Sequence, residues 1–188
     1  MGMPATSRRW TAIDVRALPA RNGERFECVD GELLVSPGPR LPHQSAVVLL
    51  TGALDAYCRR EVIGSAFNGP AELELDDFTL VQPDIFVLPL VDGKRAVTQA
   101  AAGMPLLVVE VLSPGTARFD RVTKRVRYQR LGVEYWILDL DARVVERWTS
   151  ESSRPDVVTQ LLHWHPVGAQ SALTIDLDAL VADALGER

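Results

Sequence analysis

The chain has 188 residues, with 20 Lys plus Arg against 25 Asp plus Glu, a formal net charge of −5, and 47 % hydrophobic residues. This balance excludes wholesale disorder and a surface coated in positive charge for sequence-independent nucleic-acid binding, but it leaves room for a local basic face. Cys28 and Cys58 are too few for a disulfide framework or a Cys-only zinc site, and no apolar stretch reaches the roughly 20 residues of a membrane span, so a cytoplasmic protein with reduced thiols is expected.

Residues 1–10 read as a flexible polar leader and 11–188 as a single domain. Gly2 with Thr6, and Arg8-Arg9, imitate myristoylation and twin-arginine signals, but Pro4 and the lack of an apolar segment after Trp10 make both chance matches. A first element spans 11–18 and is broken from Pro19 to Gly23. Two β-like runs, 25–29 and 32–36, flank Asp30-Gly31, a dipeptide that favours the positive φ angles of a tight hairpin. From His43 to Glu61 the period changes: Val47, Leu50, Leu54 and Tyr57 recur at helical spacing, with Pro42 suited to the first turn.

After Gly64 the pattern is β-rich, with runs at 71–75, 79–81 and 84–88 and a turn at Asp92-Gly93. The run 106–112 is apolar almost throughout, as in a central strand buried on both faces, and Ser113-Pro114-Gly115 ends it. Residues 120–131 predict a helix closed by Gly132. A hairpin follows (134–140 and 143–149), then a polar loop, a strand near 157–163 and a helix over 176–185. The mixed order predicts one α/β (α+β) domain with a mixed sheet.

Few positions carry chemistry. Glu110 is the one charge inside the run 106–112, and a carboxylate there is costly unless it is paired, hydrogen-bonded or bound to a metal. Its ordinary role would be an ion pair with an arginine of the next helix. Asp84 follows Pro83 at the head of another strand. Alone it reads as a turn or capping residue, but on a strand beside Glu110 it gives a pair of hard oxygen ligands suited to Mg²⁺ or Mn²⁺. Glu32, next to the Asp30-Gly31 turn, is by itself a solvated hairpin residue. The segment 118–130 concentrates Arg118, Arg121, Lys124, Arg125, Arg127 and Arg130, either a solvated helix face or a phosphate-binding face beside the acids. Lys124 and Tyr128 are i,i+4 partners that share a face with Asp120. His43 sits in the first turn of the long helix, within reach of approaching the site. His163 and His165, at i,i+2, have no third ligand nearby. Walker, GxGxxG and GxSxG motifs are absent.

Several of these segments together resemble one family. They are Asp30-Gly31-Glu32, Pro42-His43-Gln44 at a helix start, Val81-Gln82-Pro83-Asp84, Val108-Val109-Glu110-Val111-Leu112-Ser113-Pro114, Asp120 with Lys124 and Tyr128, and 132–139. In this order they resemble the Uma-type restriction-endonuclease family of the PD-(D/E)XK nuclease superfamily, over about residues 10–185. The resemblance implies a restriction-endonuclease-like mixed sheet flanked by helices, with an N-terminal β-hairpin. It also implies a Mg²⁺-dependent endonuclease acting on DNA, with Asp84 and Glu110 as metal ligands and Glu32 as a further acid binding metal directly or through water. The superfamily's lysine lies two residues after the second acid, where this chain has Leu112. The Uma-type pattern offers instead a lysine in the next helix, here Lys124, as the group that orients water or stabilises charge. Arg118, Arg121 and Arg125 would then position the duplex through its phosphates. A homodimer is expected for cutting both strands, with the apolar hairpin from Tyr135 to Trp148 at a sheet edge as its interface. The competing reading is a non-catalytic nucleic-acid-binding or protein-interaction module that keeps the nuclease fold.

Overall fold

The computed structural model of the protein describes residues 8–19 and 23–188. The Gly2–Thr6 look-alike and most of the leader lie outside the described residues. The last leader residues are packed: the Trp10 amide donates to the Gly31 carbonyl at 2.9 Å, and the Arg9 guanidinium lies 3.8 Å from the centre of the Phe78 ring.

Helix α1 (Ala12–Arg16) opens with a Thr11–Asp14 capping box and lies against the hairpin of β1 (Glu24–Val29) and β2 (Glu32–Pro37). The turn has the geometry its Asp-Gly sequence requires, with φ of 51° at Asp30 and 87° at Gly31. A Cβ at Gly31 would also strike the Arg9 side chain. Helix α2 (Leu41–Glu61) begins two residues earlier than its periodicity predicts, with Pro in its first turn, and it buries Val47, Leu50, Leu54 and Tyr57. The strands β3 (Gly64–Asn68), β4 (Leu73–Asp76), β5 (Thr79–Val81) and β6 (Ile85–Pro89) follow. A short α3 (Gln99–Ala102) leads to β7 (Leu107–Val111), which is buried at every position, as its apolar run predicts.

The predicted helix at 120–131 is in fact two segments. A π-helical stretch (Phe119–Lys124) runs into α4 (Arg125–Arg130), and the Arg125 amide donates to the Asp120 carbonyl five residues back. Gly132, with φ of 72°, closes it. Then come β8 (Glu134–Asp139) and β9 (Val144–Trp148). The single strand expected near 157–163 is split into β10 (Asp156–Val158) and β11 (Leu161–Trp164), and β12 (Leu173–Asp176) precedes α5 (Leu177–Leu185).

The strands form a six-stranded mixed sheet in the order β10-β9-β8-β7-β6-β3, a four-stranded sheet β2-β1-β5-β4, and a β11-β12 ribbon. Only β7 and β8 run parallel among the described pairs. Strand alternation divides the core across the main sheet. Val109, Val111, Trp136 and Leu138 pack with α2 and α5 on one face, and Val108, Tyr135, Ile137 and Trp148 pack with Tyr128 and the smaller sheet on the other. The β8–β9 hairpin is therefore not at an edge. β10 covers β9, and Tyr135, Trp136 and Trp148 are core residues. This corrects the expected dimer surface: the apolar side chains that suggested it are used inside the protomer.

Candidate functional site

The main sheet brings Asp84 and Glu110 together. Ile85 pairs with Val109 in the antiparallel β6–β7 ladder, so the next step of the register sets Asp84, just before β6, beside Glu110, near the end of β7. The two are tied by their backbones: the Asp84 amide donates to Glu110 Oε2 at 3.3 Å, and the Val111 amide donates to Asp84 Oδ2 at 3.0 Å. Glu110 shares its strand face with Val108, the face covered by α4 and the smaller sheet.

Lys124 arrives from that side. Its side chain is 3 % exposed, and Nζ donates to Glu110 Oε1 at 2.8 Å, lies 2.9 Å from Glu27 Oε1 and 3.5 Å from Asp120 Oδ1. Asp120 and Lys124, four residues apart in the π-helical stretch, are both buried and share its inward face.

Glu27, Arg25 and His43 complete the site. Residues 25 and 27 stand two apart on β1 and so share a face. The Arg25 guanidinium donates to Asp84 Oδ1 at 2.9 Å, and His43 Nε2 lies 2.9 Å from Asp84 Oδ2. Sequence reasoning missed Glu27 and Arg25. The signal present in the chain is a charge alternating with Phe26 and Cys28 inside a short β run. Asp120 reads in sequence only as a helix neighbour of Lys124, yet it is buried beside it.

Other predicted residues are not drawn in. Glu32 is exposed and lies opposite Val29 at the turn end of the hairpin, about 7 Å of strand beyond Glu27. The buried acid that β1–β2 supplies is Glu27. Arg121 reaches the cavity rim but is bound to Asp139 at 3.0 Å and Glu146 at 2.7 Å. Arg125 donates to Gln129 and to the Arg121 carbonyl and stacks on Trp148. Arg127 pairs with Asp30 and Asp76, tying α4 to the smaller sheet, and Arg118 is exposed. Most of the basic helix is thus engaged in internal ion pairs and stacking.

A cavity of about 470 Å³ opens onto Arg25, Glu27, His43, Asp84, Glu110 and Lys124. Four buried carboxylates, Glu27, Asp84, Glu110 and Asp120, face two fixed cations, Lys124 and Arg25. Burial raises the Glu110 pKa well above the ordinary carboxylate range; Lys124 opposes this, while Asp84, Asp120 and Glu27 reinforce it. Burial raises Asp120 as well. At Asp84 burial acts in the same sense, but the bonds from His43, Arg25 and the Val111 amide outweigh it and bring the carboxyl down to about 2. Burial alone would lower Lys124, yet Glu110, Glu27 and Asp120 hold it well above its usual value, so it stays an ammonium.

This donor set fits a hard divalent cation. Among the described residues no group of three or more His, Cys, Asp or Glu is arranged to hold a metal ion. Mg²⁺, however, is usually bound by one or two carboxylates and completed by water and substrate phosphate. Asp84 Oδ1 and both Glu110 oxygens accept one hydrogen bond each among the described residues, so each retains a lone pair, and a dication would relieve the mutual repulsion of the crowded carboxylates.

The expected mixed-sheet fold is shared with a solved structure. A protein from Anabaena variabilis, described as a putative nuclease belonging to DUF820, superposes with a TM-score of 0.73 at 18 % identity, over 93 % of this chain and 99 % of that one. The restriction-endonuclease-like α/β class is thus the observed fold. No curated protein matches the chain. No helix among the described residues is long and apolar enough to cross a membrane. Residues 13–177 match the Uma2 model, described as putative restriction endonuclease, and the chain belongs to that family.

Proposed function

We propose that the protein is a metal-dependent endonuclease that hydrolyses phosphodiester bonds in DNA, with Mg²⁺ (or Mn²⁺) as its ion. The single observation that carries this reading is the joining of Asp84, Glu110 and Lys124, from three separate elements, at the floor of one open cavity. A purely structural ion pair would need neither the second acid nor access from solvent. Family membership and the shared fold support the same reading.

Asp84 and Glu110 would hold the ion. When bound, it supplies Lewis-acid polarisation of a phosphodiester and lowers the pKa of water. The protein's own groups do the rest. Lys124, held charged by Glu27 and Asp120, stands ready to orient water or to stabilise negative charge on phosphorus oxygens, with little reorganisation. His43 and the Val111 amide fix the orientation of the Asp84 carboxylate. Glu27 takes the place that the sequence pattern suggests for Glu32. Cutting both strands calls for two sites, so a homodimer belongs to this reading.

The test is nicking of supercoiled plasmid with Mg²⁺ by wild type and by Asp84→Asn. Nicking that needs the ion and disappears in the variant is expected. Equal nicking by both would identify a contaminant. Binding of DNA with no nicking by wild type would favour the non-catalytic module.

A further inference from the structure

We propose that the duplex phosphate backbone is held on the rim formed by residues 36–40 together with Arg25, and not by the basic helix. This rests on the nuclease reading above and adds to it the face on which substrate lies.

Two parts of the cavity lining differ in charge. One part consists of Arg121, Asp139 and Asp141. Arg121 is already bonded to Asp139 and to Glu146, and Asp141 adds a further carboxylate, so this part offers a phosphate no spare positive charge. A second lining segment, Ser36-Pro37-Gly38-Pro39-Arg40, contains no acid. Arg40 is exposed on it and has no carboxylate partner among the described residues. Arg25 lines the same cavity with a side chain that is about one-fifth exposed. Its partner Asp84 also receives bonds from His43 and the Val111 amide, so turning Arg25 to a substrate oxygen leaves that carboxylate with two donors.

The backbone agrees with the side chains. The 21-residue α2 starts on this rim, and its first turn has no side-chain cap, so its free amides and positive dipole end lie on the same side as Arg40. His43, in that turn and nine-tenths buried, has an Nδ1 with no hydrogen-bond partner. The prolines at 37 and 39 fix φ and hold the rim extended before anything binds. In a chain of net charge −5, a cleft floored with carboxylates needs such a cationic rim before it can admit a phosphate.

The test is binding of a fluorescein-labelled 30-base-pair duplex, followed by anisotropy from 0.05 to 0.5 M NaCl, in EDTA and again in Mg²⁺. Removing one cation that neutralises a phosphate reduces the slope of log K against log salt by about 0.9, or about eightfold in affinity per decade of salt. Arg40→Ala and Arg25→Gln should each show that reduction, with circular dichroism unchanged for Arg40→Ala. The inference is overturned if both bind as wild type does, or if the slope falls in Arg118→Ala and Arg125→Ala in their place. A wild-type protein that neither nicks plasmid nor binds the duplex under either condition removes the nuclease reading itself, an outcome distinct from the first two.

Discussion

Lys124 and Glu110 meet at 2.8 Å, fourteen residues apart in sequence, with both side chains at least 95 % buried. The ammonium is the shared counter-ion of three carboxylates, because Glu27 and Asp120 contact it as well. Removing it strands a buried cluster of like charge. Lys124→Met should therefore cost about 3–5 kcal/mol of stability at pH 7, measured by urea denaturation. Adding Glu110→Gln to that variant should recover part of the loss, since one of the stranded charges is then gone. Equal stability of single and double variants would argue against this coupling.

Mg²⁺ and protons should compete for the same carboxylates. Glu110 and Asp120 have native pKa values raised by burial, so above about pH 4 the folded state holds protons that the unfolded chain has released, and their contribution to stability declines as pH rises. Asp84 has the opposite sign: its native pKa of about 2 gives stability present above its ordinary value near 3.8, lost as pH falls through 2. A dication on Asp84 and Glu110 displaces the retained protons. The rise in Tm caused by 10 mM Mg²⁺ should thus be larger at pH 8 than at pH 6 and absent in Asp84→Asn. Thermal melts of both proteins at the two pH values provide the check.

Glu134 gathers three donors. Its Oε1 accepts from Trp136 Nε1 at 2.8 Å and Arg147 at 3.0 Å, and its Oε2 accepts from Trp164 Nε1 at 3.2 Å. Both indoles are buried, with their ring centres 5.9 Å apart in an edge-to-face arrangement. Glu134→Ala leaves two buried indole N–H groups without an acceptor, at about 1–3 kcal/mol each. The expected result is a lowered urea midpoint and a changed tryptophan emission spectrum. Glu134→Gln, which keeps one acceptor oxygen, should lie between.

The sequence makes the site's floor legible and leaves its walls obscure. Glu110 stands out because a single charge interrupts an apolar strand, and Asp84 because Pro83 marks the start of another. Both signals are local, and both residues lie at the sheet end where the structure joins them. The Asp30-Gly31 turn and the Gly132 helix stop are likewise local, set by positive φ. Glu27 and Arg25 are not legible because their role depends on how β1, paired with β5 in the smaller sheet, faces the main sheet. That relation is fixed by packing across more than 50 residues of sequence, as in the 59-residue separation of Arg25 from Asp84. The same limit explains the hairpin placed at an edge, since β10, a short strand with two exposed residues, carries little periodicity to announce that it covers β9. It also explains the basic helix: charge clustering shows in sequence, but the acids that absorb those charges come from Asp30, Asp76, Asp139 and Glu146 on other elements.

Glu61 anchors the loop before β12 to the end of α2. Its carboxylate accepts from the Ser171 hydroxyl at 2.6 Å and from the amides of Gln170 at 2.7 Å and Ser171 at 3.1 Å. The Ser171 hydroxyl and then the Gln170 amide draw the Glu61 pKa down from its usual 4.5 to about 2, against the opposing pull of burial. A lowered native pKa means that the anchor is fully present above about pH 4.5 and is lost as pH falls through 2. Hydrogen exchange followed between pH 5 and 2.5, and corrected for the intrinsic rate at each pH, should show protection of the Gln170 and Ser171 amides falling as the acid limit is approached. Glu61→Ala should already lack that protection at pH 5. The helical amides of α5, which have no bond to Glu61, serve as the internal reference, and loss of protection there in step with the loop would mean that the acid is unfolding the domain and not releasing this contact.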